Sequence, residues 1–147
     1  MGATIRVMVA DGHSILRTAL IMAVQMSDEL VLAGEASTAS QAIELCREAR
    51  PEIALVGSDL HGMNVSSAVA KLCAENPGLK IIAIARYEGA TDLHELVKAG
   101  ARGFVLRDRL AGEFMAAIRA VAAGQYYFPS EFGFLTPPGS EPAARTT

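Results

Sequence analysis

The run Ile53-Ala-Leu-Val56 restricts the possible folds of this chain more than any other feature. It is apolar throughout, too short for a helix, and followed at once by the polar loop Gly57-Ser-Asp-Leu-His61-Gly-Met-Asn64. A strand buried on both faces reads this way, and such strands belong to parallel sheets covered by helices on each side. In an open sheet of that kind, chemistry collects in the crevice beyond the carboxyl ends of the strands. Position 57 stands at that crevice, and it holds glycine, which has no side chain.

The rest of the chain supplies partners for this strand. Apolar runs over 4–10, 30–36, 80–85 and 103–106 predict four more strands. Between them lie helical stretches: 14–26 capped by His13 or Ser14, a second opened by Ser37 or Thr38 and stopped at Pro51, then 65–75, 91–99 and 110–123. Asn76-Pro-Gly78, Gly100 and Gly124 close the last three. Strands and helices alternating over short connections mean right-handed βαβ units and a parallel sheet.

The chain's character changes after Gly124. Tyr126, Tyr127, Phe128, Phe132 and Phe134 crowd five of the eight aromatic residues into nine positions. They form either a docking surface or a strap over the domain, and the strap is preferred because exposed aromatics invite aggregation. Residues 136–147 lack any apolar period and read as a linker. The expected organisation is therefore a domain over 1–128 and an extension over 129–147, leading toward a further domain.

With 147 residues, 51% of them hydrophobic and 20% charged, one globular domain is expected. No apolar run reaches the roughly 18 residues of a membrane span, and no signal-peptide pattern opens the chain, so a soluble cytoplasmic protein is expected. A net charge of −3 gives no support for nucleic-acid binding by this segment itself. Cys46 and Cys73 lack CxxC or histidine spacing and read as buried reduced thiols.

The opening Ile5-Arg-Val-Met-Val-Ala-Asp-Gly-His13 and the later Lys98-Ala-Gly-Ala-Arg-Gly-Phe-Val-Leu-Arg-Asp108 resemble a response-regulator receiver domain. The closest likeness is to NarL/FixJ-type transcription regulators, over about residues 4–128. Its most specific pieces are Ala99-Gly-Ala-Arg-Gly-Phe104 and Ala117-Ile-Arg-Ala-Val-Ala-Ala-Gly124. The resemblance implies a flavodoxin-like (CheY-like) α/β fold with a doubly wound five-stranded parallel sheet in the order 2-1-3-4-5. It also implies a phosphorylation switch controlling an attached helix-turn-helix DNA-binding domain.

The switch positions of that family do not carry over. The phosphoacceptor aspartate falls on Gly57, with the register anchored by Gly62-Met63 and His61 in a proline's place. Of two acids that would hold Mg²⁺, Asp11 remains and the second is Gly12. The hydroxyl residue ending the fourth strand is Ala85, and the lysine is Arg107, which keeps the charge but changes the geometry. Asp11, Gly12, Gly57, Ala85 and Arg107 thus form a degenerate phosphorylation pocket. No cofactor, metal or enzymatic activity is expected of it, because one carboxylate is a poor Mg²⁺ site.

Several readings of single residues stay open. Asp11 is expected to accept hydrogen bonds, Arg107 being the candidate donor. Asp59 is an offset candidate phosphoacceptor, without a metal to activate it. His13, His61 and Asp59 share one rim and can be imagined as a metal cluster, although nothing in their spacing demands it. The space vacated by Gly12 and Gly57 either takes a small ligand held by Asp11, Ser58 and Arg107 or is filled by neighbouring side chains. Filling is preferred, since interiors rarely stay empty. His94 reads as a surface residue.

Helix periodicity adds an expectation of assembly. At 100° per residue, Ile15, Ala19, Met22, Ala23 and Met26 form the inward side of the first helix, leaving Ile21 and Val24 outside with Arg17, Thr18 and Gln25. In the last helix Leu110, Phe114, Ala117, Ile118 and Val121 face inward, with Met115, Ala116, Ala120 and Ala123 outside beside Glu113 and Arg119. The expected dimer interface is Arg17, Ile21, Val24, Met115 and Arg119, joining two copies or two different regulators. The expected function is a phosphorylation-independent regulatory and dimerisation domain of a transcription regulator, with DNA bound only through a domain outside this chain. The alternatives are a small-molecule sensor and a receiver phosphorylated at Asp59.

Overall fold

Strands β1 (Ile5–Ala10), β2 (Leu30–Ala36), β3 (Ile53–Gly57), β4 (Lys80–Ala85) and β5 (Gly103–Leu106) form one parallel sheet in the order β2-β1-β3-β4-β5. The computed structural model describes residues 4–86 and 90–129. Helices α1 (Ser14–Gln25), α2 (Ala39–Ala49), α3 (Val65–Glu75), α4 (Ala90–Ala99) and α5 (Leu110–Ala122) connect and follow the strands. A 3-10 turn, Arg107–Arg109, which the apolar pattern does not announce, joins β5 to α5.

Alternation along the strands builds two cores. Val7, Val9, Ile53, Leu55, Ile82, Ile84 and Val105 pack with residues of α1 and α5 on one face. Met8, Ala54, Val56, Ile81 and Phe104 pack with α2, α3 and α4 on the other. Every residue of β3 is buried, as its unbroken apolar run requires.

Three helices start on side-chain caps. His13 Nδ1 accepts the Leu16 N–H at 3.2 Å, Thr38 the Gln41 N–H at 3.1 Å, and Asn64 the Ser67 N–H at 2.8 Å. Helix α2 ends on Arg50, left-handed at φ 47 immediately before Pro51, where glycine is the usual occupant.

The two edges of the sheet differ. At β5 the Tyr127 N–H donates to Arg102 O (3.0 Å) and Tyr127 O accepts the Phe104 N–H (2.8 Å), so residues 126–128 lie along that edge. Phe128 enters one core, with Tyr126 packed against it, and Tyr127 enters the other. These three aromatics are therefore a strap; Phe132 and Phe134 lie outside the described residues. At β2 the register slips, Val7 pairing with Leu32 and Met8 with Gly34, which leaves Ala33 as a bulge. Cys46 is buried, its thiol pushed up to about 11 by burial, whereas Cys73 is only half-buried; both are free.

The phase expected for α1 needs correction. Leu20 and Val24 are buried, while Ile15, Met22 and Met26 are 75%, 55% and 82% exposed. Helix α1 is apolar nearly all round, so periodicity alone does not choose its inward face. The His13 cap sets where the helix starts, and that turns Leu16, Leu20 and Val24, each one turn apart, onto the sheet. The inward face expected for α5 is the one observed, since Phe114, Ala117, Ile118 and Val121 are all buried.

Candidate functional site

Asp11, Gly57, Ala85 and Arg107 all sit at the carboxyl ends of strands, following β1, ending β3, ending β4 and following β5. The parallel sheet brings these ends to one rim, and the β3–α3 loop lies across it. Ser58 is tied to the sheet by its N–H donating to Ile84 O at 3.0 Å.

The two glycines leave no open pocket behind them. A Cβ placed on Gly57 would fall 1.8 Å from Asp11 Oδ2, so the Asp11 side chain lies where a residue-57 side chain would begin. A Cβ on Gly12 would fall 2.5 Å from His61 Nε2 and 2.3 Å from the Asp59 carbonyl oxygen. Neighbouring groups therefore fill both volumes, the preferred one of the two alternatives raised by the sequence. The His61 N–H donates to Ser37 O (3.3 Å) and His61 O accepts the Ala39 N–H (2.8 Å), fastening this loop to the start of α2. A proline at position 61 has no N–H to make the first of these bonds.

Asp11 is fully buried. Its Oδ1 accepts the His13 N–H at 2.8 Å, and its Oδ2 is buried without a hydrogen-bond partner. Burial pushes its pKa above the ordinary carboxylate value; the His13 N–H opposes that, Asp59 reinforces it, and Arg107 and His13 lower it. Arg107 does not donate to Asp11, as the sequence led us to expect. Its Nη2 meets Asp59 Oδ2 at 3.1 Å, and its Nε is buried without a partner. The reason is reach: the guanidinium extends from the rim toward the loop, where it meets the part-exposed Asp59. An acid two residues past the end of β3, opposite an arginine after β5, was the available signal for this pair.

These residues do not make a Mg²⁺ site. Asp11 is one carboxylate with one oxygen already bonded, positions 12 and 57 supply no side-chain oxygen, and the Asp59 carboxylate is held by Arg107. Among the described residues no three His, Cys, Asp or Glu side chains converge on a metal-sized space.

Of the residues expected at a dimer interface, Val24 is buried and Ile21 is packed against the core, so the structure removes Val24 from that surface. Arg17 turns back on its own chain, donating to Asp11 O at 2.9 Å and to Glu35 at 3.3 Å. Arg119 stays exposed in an ion pair with Glu29 at 2.9 Å, and Met115 is half-buried. No helix among the described residues is long and apolar enough to cross a membrane.

Comparison with known proteins agrees with this fold. The response regulator receiver domain family matches residues 7–119. The response regulator GacA of Pseudomonas viridiflava is 31% identical over 84% of this chain and 58% of its own length. The nitrate/nitrite response regulator protein NarL of Escherichia coli is 28% identical over 81% and 55%. The chain thus spans little more than half of such relatives. Among solved structures, a LuxR-family two-component response regulator from Aurantimonas sp. superposes with a TM-score of 0.81 at 25% identity, covering 88% of this chain and 93% of that one. Matched in fold, element order and most of its length, this chain belongs to the response regulator receiver domain family.

Proposed function

We propose that this chain is a phosphorylation-independent regulatory and dimerisation domain of a transcription regulator. The observation that carries the reading is the Asp11 carboxylate packed against Gly57, where the family's phosphoacceptor would stand. Phosphoryl transfer depends on a positioned nucleophile and on charge neutralisation around it. Here residue 57 is glycine, Ala85 lacks a hydroxyl, and Arg107 is spent on Asp59. The same pair argues against Asp59 as an offset acceptor, because its carboxylate is already committed. The filled volumes at Gly12 and Gly57 argue against a small-molecule sensor. DNA binding, on this reading, belongs to a helix-turn-helix domain outside this chain. Dimerisation, with itself or another regulator, uses α1 and α5.

Incubation with acetyl phosphate and Mg²⁺, followed by intact-mass measurement, is expected to add no phosphoryl group. A stoichiometric, Mg²⁺-dependent adduct on Asp59 or any other aspartate would overturn the reading.

A further inference from the structure

We propose that the cleft between the ends of α2 and α3 binds a small organic oxyanion, a carboxylate or phosphate on an apolar body, through Arg50. This goes beyond the function proposed above and stands apart from it. The cleft lies at the amino ends of β3 and β4, roughly 15 Å along β3 from the filled rim.

Two turns make the cleft. Helix α2 passes into β3 through Arg50 and Pro51, and α3 passes into β4 through Asn76, Pro77 and Gly78. The space between them is about 610 Å³, within the range of small-molecule sites. Buried Pro51 and Leu79 and exposed Pro77 give it apolar walls. Arg47, Arg50, Glu75 and Asn76 supply its polar groups.

Nothing within the domain explains an arginine at position 50. Its backbone is left-handed at φ 47, and no other non-glycine residue among those described has a positive φ. Glycine adopts that conformation without the steric cost of a Cβ. The guanidinium returns nothing for that cost, since it makes no hydrogen bond or ion pair with any described residue. A strained backbone that carries an unpaired charge into a cleft is the pattern of a binding position.

The surrounding charge fits an anion. Glu75 is the only acid in the lining, and it is already held by Arg47 at 3.0 Å and Lys71 at 3.3 Å. An incoming anion therefore meets a net positive site. Helix carboxyl ends ordinarily repel anions, but here their carbonyls are already answered by donors. Ala49 O accepts from Arg6, and Cys46 O accepts the Arg50 N–H at 3.1 Å. Leu72 O accepts both the N–H and Nδ2 of Asn76, at 3.0 and 2.9 Å. A planar guanidinium takes a carboxylate or phosphate through two parallel N–H···O bonds. The apolar body then lies along Pro51, Pro77 and Leu79. One exposed arginine and a short apolar wall imply a dissociation constant of about 1 mM for a ligand the size of benzoate.

The test follows amide NMR spectra of the full 147-residue chain at constant ionic strength, titrated with benzoate, phenyl phosphate, inorganic phosphate or neutral benzamide. Benzoate or phenyl phosphate is expected to cause saturable shifts at Gly78 and at the Asn76 side-chain amide. Saturation by one of the two alone names the carboxylate or the phosphate as the group recognised. Benzamide should bind about tenfold more weakly than the bound anion. Arg50→Gly is the decisive variant, because glycine suits the left-handed position. It should melt at the wild-type temperature or a few degrees higher while losing the shifts. Glu75→Gln, which leaves Arg47 without its carboxylate, should tighten binding about two- to threefold. Shifts that persist in Arg50→Gly, or that appear only at the rim, overturn the proposal. So do equal affinities for benzamide and benzoate, or for inorganic phosphate and both aromatic anions, and so does weaker binding by Glu75→Gln. A chain that binds none of the probes overturns it as well, and leaves the phosphorylation-independent reading untouched.

Discussion

A side chain at position 57 would begin inside the Asp11 carboxylate, 1.8 Å from Oδ2. Even Gly57→Ala must displace a buried acid at the end of a strand with no exposed residue. We expect a loss of about 1–3 kcal/mol, read from the urea midpoint at unchanged m-value. Asp11 itself gives a pH signature. Burial raises its pKa, so the folded chain holds the proton more tightly than the unfolded one. Stability contributed by this group is then full below the unfolded carboxylate pKa of about 3.9. It declines as pH rises toward the raised folded value. Asp11→Asn should flatten that decline, matching wild type in acid and exceeding it near neutrality. A wild-type curve that rises through this window, with Asp11→Asn lower at pH 7, would show a stabilising ionised carboxylate instead.

At the scale of elements, α1 is where pattern and structure part. Val24→Asp should unfold the domain, because the position is wholly buried and an unpaired charge there costs several kcal/mol. Met22→Glu, two residues earlier, should leave the melting temperature nearly unchanged. The reverse result would restore the phase that periodicity suggested. The strap gives a second test: Phe128→Ala, at a fully buried site, should cost about 3–5 kcal/mol by thermal or chemical denaturation. The strands were legible because their runs are short, apolar and bounded by turn residues. Helix α5 was legible because Phe114, Ile118 and Val121 stand out among alanines. Helix α1, with large aliphatic and methionine side chains on every side, hides its phase until the cap and the strand beneath it fix the rotation. The crevice was legible as the small residues Gly12, Gly57 and Ala85 at the ends of strands. The Asp59–Arg107 pair and the filling by His61 were not, since they depend on how a loop crosses the rim.

For the molecule as a whole, residues 126–128 dress one margin of the sheet, and among the described residues no strand pairs along the other. That second margin is β2, where Val31 is 41% exposed and the ladder is broken at Ala33. Val31→Lys should change stability by no more than about 0.5 kcal/mol while slowing aggregation at high concentration, followed by turbidity. No slowing would mean that another surface limits solubility. The bulge carries a consequence of its own. A straight open edge is a template on which a foreign strand can zip along its length. Here an incoming strand loses its hydrogen-bond rhythm after Leu32, too few residues in to hold. One residue out of step is thus expected to act as a stop against fibre growth.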